Sequence, residues 1–116
     1  MRVLALPSGP LTSYGSSGAS LCAAARVLEP QGGVAVDIVR LAPGSRIGRH
    51  PTRLWQLFLV VSGPGWASGG DDRRRALATG EAALWEPGEE HASGTDDGLT
   101  AVVVQSRVVP LTEEAP

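Results

Sequence analysis

Short runs of apolar and β-branched residues, cut by turn signals at close intervals, dominate the chain. "VAVDIVRL", "LWQLFLVV", "GWASG", "RRALAT", "AALW" and "LTAVVVQS" lie between "LPSGP", "EPQGG", "APGS", "SGPG", "SGGDD", "TGE", "EPGEE" and "TDDG". Many short strands at this spacing predict an all-β sandwich or barrel. One stretch is ambiguous. "ASLCAAARVLE", Ala19 to Glu29, has the alanine and leucine content of a helix, but an outer strand is the choice here, because context overrides propensity in sheets. Ser8 to Ser20 is rich in serine and glycine and reads as an irregular arm within residues 1–20. The tail 111–116, "LTEEAP", reads as frayed.

The segment Gly44–Gly63 reads as a buried strand that carries three polar residues of one parity, His50, Thr52 and Gln56. On an extended chain they share a face. From Leu54 to Val61 both parities are apolar. Leu54, Phe58 and Val60 accompany Gln56, and Trp55, Leu57, Leu59 and Val61 take the other side. A strand wet on one face would alternate polar and apolar. One face can fill a barrel; the other calls for a second sheet or another subunit, which predicts a homodimer.

Length and charge narrow the picture. A chain of 116 residues is the size of one domain and can bury one core. A net charge of −2 gives no electrostatic support to nucleic-acid or anionic-membrane binding. Arg73 to Arg75 follow Asp71 and Asp72 and read as a solvated hairpin. The one cysteine, Cys22, cannot form an intrachain disulfide and reads as a small buried apolar residue. The apolar run in "MRVLALP" is too short for a signal-peptide core, and no segment reaches membrane-span length, so a cytoplasmic location is expected.

The spacing of the polar residues carries the chemistry. Gly44 is followed by five residues and His50; Thr52, Gln56 and Gly63 follow at two, six and thirteen positions beyond His50. Downstream, Gly80 leads to Glu86, Pro87, Gly88 and His91, with Thr95 four residues beyond. This pattern resembles the two motifs of the cupin superfamily, G-x5-H-x-H-x3,4-E-x6-G and G-x5-P-x-G-x2-H-x3-N. Gly44, His50, Gly63, Gly80, Gly88 and His91 match. Thr52 stands where the second histidine belongs, Gln56 replaces the glutamate, Glu86 holds the proline position with Pro87 one residue late, and Thr95 replaces asparagine. The resemblance covers about 34–105. It implies a double-stranded β-helix, or jelly-roll barrel, with a metal site inside. By the same resemblance His50 and His91 are metal ligands, Gln56 is a substituted ligand with a neutral, weaker oxygen, and Thr52 is an auxiliary group for water or substrate. Phe58, of Gln56's parity, is a cavity-wall candidate.

Two imidazoles suit a divalent first-row metal such as Fe, Mn, Ni or Zn. The missing carboxylate weakens the site, because charge neutralisation is a large effect in a low-dielectric interior. Glu89 and Glu90 flank His91 and read either as hydrogen-bond partners of the site or as solvated rim residues. Two functions therefore stand side by side: a metal-dependent enzyme acting on a small organic substrate, oxygenase- or isomerase-like, and a metal-free small-ligand-binding module. A third reading is a dimer with a vestigial pocket in which His50, Gln56 and His91 hydrogen-bond one another or water. Trp55 and Trp66 read as packing residues, and the sequence leaves open whether Trp85 faces the cavity. There is no G-x-S-x-G elbow and no phosphate-binding Gly-Lys-Ser/Thr loop. "TDDGLT" lacks calcium-loop spacing and reads as a turn.

Overall fold

The computed structural model describes residues 1–30 and 32–111. Among them nine strands form one rolled sheet: β1 (Ser8–Leu11), β2 (Ser17–Val27), β3 (Val34–Pro51), β4 (Trp55–Ser62), β5 (Gly65–Ser68), β6 (Arg75–Leu77), β7 (Ala82–Trp85), β8 (Glu90–Thr95) and β9 (Leu99–Ser106). The neighbour order is β6-β5-β8-β3-β9-β4-β7, with β2 also on β3 and β1 on β2. All the pairings are antiparallel. The expected jelly-roll barrel is present.

β3 closes the barrel. Its first half, Val34 to Leu41, pairs with β9 on one side and β2 on the other; its second half, from Ser45, pairs with β8. Between the halves lies Gly44, at φ 74, in the left-handed region that glycine adopts at little cost. The sequence reading broke the chain at "APGS"; the strand instead bends there and continues. One strand thus serves both halves of the barrel.

The core follows strand alternation. Val39 and Leu41 from β3, Phe58 and Val60 from β4, and Leu99, Ala101 and Val103 from β9 point inward and are buried. Register sets them in rows: Val39 opposite Ala101 opposite Val60, and Val103 opposite Phe58. Phe58 is 1% exposed. The predicted face of β4 is therefore the inner one. Outside, Trp55, Leu57 and Leu59 are half-buried and Val61 is exposed.

The Ala19–Glu29 stretch is strand through Val27, as chosen over helix. Two expectations are corrected. Ser8–Ser20 is not an irregular arm: it holds β1, a single 3-10 turn at Ser13–Gly15, and the start of β2. β1 is an edge strand, where Pro10 is tolerated because its missing N–H is not needed. Nor is Gly44–Gly63 one strand: β3 ends at Pro51, β4 begins at Trp55, and Thr52 shapes the turn between. β8 went unpredicted because "EHASGT" carries no large apolar residue. The reading of the tail as frayed concerns 111–116; of these only Leu111, in a bend after β9, lies within the described residues.

The arginine run lies in the expected exposed hairpin. Arg75 pairs with Asp71 at 3.4 Å, and Arg74 sits 3.8 Å over the Trp66 ring. The Arg73 backbone N–H, donating to the Asp71 carboxylate at 3.0 Å, and the Arg75 guanidinium hold that carboxyl below the usual range. Thr95 closes the β8–β9 turn, donating to Pro64 O at 2.7 Å and accepting from Gly98 N at 3.0 Å. "TDDG" is the predicted turn. No helix among the described residues is long and apolar enough to cross a membrane.

Candidate functional site

His50 and His91 are far apart in sequence and are direct cross-strand partners in space. β3 and β8 pair Ile47 with Ser93 and His50 with His91, so β3 carries one extra residue between those pairs. That bulge matters. Without it, Ile47 and His50, three apart, would face opposite sides of the sheet. With it, both line the cavity, beside Ser93 and His91. The ring centroids of the two histidines are 4.4 Å apart.

Each ring is set by a backbone carbonyl. His50 Nδ1 lies 2.7 Å from Gly48 O, and His91 Nδ1 lies 3.2 Å from Glu89 O. A carbonyl oxygen only accepts, so Nδ1 carries the proton in both rings and each Nε2 presents a lone pair. His91 is 2% exposed, and its Nε2 is the buried side-chain polar atom without a partner among the described residues. Burial, with a smaller contribution from His50, depresses its pKa from 6.5 to about 4; Glu89 works in the opposite direction. His91 is neutral at pH 7.

Aromatic rings frame the pair. Trp85 stacks on His91 at 4.1 Å between centroids, Tyr14 stacks on His50 at 3.9 Å and 7°, and Phe58 lies 5.9 Å from Trp85. Trp85 therefore faces the cavity, the point its parity left open. Tyr14 comes from the 3-10 turn and has φ 61, a conformation unusual for a side-chain-bearing residue. The turn lies so close to β3 that a Cβ on Gly48 would meet Tyr14 O, while Gly48 N donates to Ser16 Oγ at 3.2 Å. Reading Ser8–Ser20 as loop hid Tyr14 from the sequence-based site; no local motif marks it.

The remaining candidates sort by geometry. Gln56 lines the cavity as the Cα partner of both Trp85 and Gln105. It makes no hydrogen bond to either imidazole among the described residues. Phe58 lines the cavity as expected. Thr52 also lines it, but its hydroxyl is committed to the turn, donating to Leu54 O at 2.9 Å. Gly88, at φ 87, donates its N–H to Thr52 O, which ties the two motif loops together. Glu89 is neither a solvated rim residue nor a side-chain partner of His91. Its carboxylate accepts from Gly70 N at 2.9 Å and Glu86 N at 3.0 Å, while its carbonyl holds the His91 ring. Glu90 is at the rim, paired with Arg49 at 3.2 Å.

The cavity measures about 530 Å³. Its apolar walls include Leu21, Val39, Ile47, Phe58 and Val103, and the polar members that sequence reasoning missed include Asp37, Ser93 and Gln105. Asp37 is 4% exposed and pairs with Arg26 at 2.7 Å. An isolated aspartate in "VAVDIVRL" gives no sign of facing a cavity until β3's parity is known.

The donor set can be tested against a metal. Two imidazoles with Nδ1 tied to carbonyls leave their Nε2 atoms available as donors. Among the described residues no third His, Cys, Asp or Glu joins them. The donor set is therefore two imidazoles, with the neutral Gln56 lining the same cavity.

No family model and no curated protein matches the sequence. Solved structures do. A cupin-like protein from Thermotoga maritima is 19% identical, covering 93% of this chain and 83% of that one, with a TM-score of 0.71. The polyketide cyclase RemF from Streptomyces resistomycificus is 16% identical, covering 98% and 89%, with a TM-score of 0.73. A predicted oxalate decarboxylase from Thermotoga maritima is 16% identical, covering 85% and 90%, with a TM-score of 0.70. Proteins of this shape thus include enzymes. The rolled antiparallel sheet of this chain is a cupin fold.

Proposed function

We propose that the interior cavity is a small-molecule site whose reactive end is the His50–His91 pair, able to hold a divalent metal (Fe, Mn, Ni or Zn) through the two Nε2 atoms and Gln56. The carrying observation is the orphaned Nε2 of His91. A buried polar atom without a partner costs about 1–3 kcal/mol, and a ligand or cation would supply the missing partner. The predicted oxalate decarboxylase and the polyketide cyclase among proteins of this shape support an enzyme acting on a small organic substrate, oxygenase- or isomerase-like.

A bound metal would supply Lewis-acid polarisation of a substrate oxygen or activation of dioxygen. The chain's own contributions are separate from that. Gly48 O and Glu89 O fix the tautomers, so each Nε2 accepts a proton or a hydrogen bond without ring rotation. Trp85 and Phe58 exclude water from His91. Tyr14 covers His50 at the mouth.

Isothermal titration of untagged, chelator-treated protein with Zn²⁺, Ni²⁺ and Mn²⁺ tests the metal. Stoichiometric binding that disappears in His50→Ala and His91→Ala is the expected result. Absence of binding to all three ions, and to Fe²⁺ under anaerobic conditions, would overturn the metal and leave the second reading, a metal-free ligand-binding module. The lack of a third ionisable ligand among the described residues favours that reading.

A second copy of the chain is proposed as the partner that covers the outer face of β4. Sedimentation velocity is expected to show a dimer that Leu57→Glu together with Leu59→Glu converts to monomer. A monomeric wild type would remove this proposal.

A further inference from the structure

We propose that the cavity takes a flat molecule bearing hydroxyl groups that donate hydrogen bonds, with Asp37 as a second anchor besides the imidazole pair. The proposal rests on the small-molecule reading and names the class of ligand.

The polar groups in the cavity are mostly acceptors. His50 and His91 present Nε2 lone pairs because their protons sit on Nδ1. Asp37 contributes a carboxylate. Its Oδ1 is held by Arg26, and its Oδ2 has no partner among the described residues. Gln56, Gln105 and Ser93 can each donate or accept. The cation beside Asp37 is already engaged: Arg26 reaches Asp37 and also donates to Ala25 O at 2.8 Å and Val36 O at 3.2 Å. Arg53, the other arginine lining the cavity, is exposed at the mouth. An anion placed in the interior would face a carboxylate and lone pairs. A hydroxyl group would find acceptors at two levels.

Those levels follow from register. Gln56 pairs with Gln105 on one side and Trp85 on the other, forming one row; Asp37, Val103 and Phe58 form the next row. The imidazoles adjoin the first row through the Trp85–His91 stack. Between the polar groups the walls are Phe58, Trp85 and Val103, which suit a planar apolar body.

Calorimetric titration of chelator-treated protein with 1,3-dihydroxynaphthalene and with 1,3-dimethoxynaphthalene tests this. The diol is expected to bind at least about tenfold more tightly, since a hydrogen bond to a charged group contributes that much or more. Asp37→Asn is expected to remove most of this preference and leave the ether's affinity unchanged. Gln105→Leu, which spares the Arg26 pair, is expected to reduce it too and serves if Asp37→Asn does not fold. Equal binding of diol and ether, or a preference unaltered in the folded variants, would overturn this proposal alone. Failure of both compounds to bind would overturn the small-molecule reading with it.

Discussion

Acidification from pH 7 to pH 4 is expected to cost the metal-free fold up to roughly 3 kcal/mol through His91. The folded ring resists protonation down to about 4, whereas an unfolded histidine takes its proton near 6.5. At about 1.4 kcal/mol per pH unit, that gap gives the stated figure as an upper bound. The sign is set by which state holds more protons. Between 6.5 and 4 the unfolded chain does, so stability rises with pH across this window and is flat, as far as His91 is concerned, above and below it. The groups around the ring are His50, Glu89 and Arg49, and burial outweighs them all. Urea unfolding at pH 7.5, 5.5 and 4.5 measures the effect. His91→Phe, which can still stack on Trp85 and leaves no orphaned nitrogen, provides the baseline and shares all the carboxylate titrations. The wild type is expected to lose stability faster than His91→Phe as pH falls. Parallel curves would contradict it.

Trp85→Ala is expected to destabilise the protein by about 3–5 kcal/mol, the range for removing a large buried aromatic. Trp85 is 3% exposed, packs on Phe58, and stacks on His91, so it joins the barrel core to the site. Its removal also lets water reach His91. The same variant is therefore expected to show a smaller pH penalty between 6.5 and 4 than the wild type. Trp85→Phe keeps an apolar ring over His91 and is expected to retain most of both stability and pH dependence. Denaturant midpoints for the two variants, at neutral and acid pH, check both effects. A Trp85→Ala protein as stable as the wild type would show that this ring does not carry the junction.

Much of this site is written locally, and the parts that are not have a common cause. Gly44, Gly80 and Gly88 all adopt positive φ, so the turn signals around the two histidines correspond to backbone conformations that glycine permits. Phe58 and Gln56 share a face by strand parity, and the motif resemblance makes that face the inner one. His50 was assigned to the same face for an incomplete reason: simple alternation was extended through Thr52 to Gln56, across a turn. The inward aim of His50 comes instead from the bulge after Ile47, which depends on β8 as partner. Tyr14, Asp37 and Gln105 were missed because their membership in the site follows from long-range pairing. Tyr14 arrives from a turn placed by β2, and Gln105 becomes a cavity residue only when β9 lies beside β4. Tertiary context also decided Ala19–Val27, where alanine-rich sequence forms a strand against β3.

The two imidazoles offer a direct observation, because the chain has two histidines and no more. Long-range ¹H–¹⁵N correlation spectra of ¹⁵N-labelled, metal-free protein at pH 7.5 report the tautomer of each ring, and nuclear Overhauser contacts report their proximity. Both rings should carry the proton on Nδ1 and show contacts to each other and, for His91, to Trp85. Rings in fast tautomeric exchange, with no contact between them, would mean that they face solvent separately and that the proposed site does not exist.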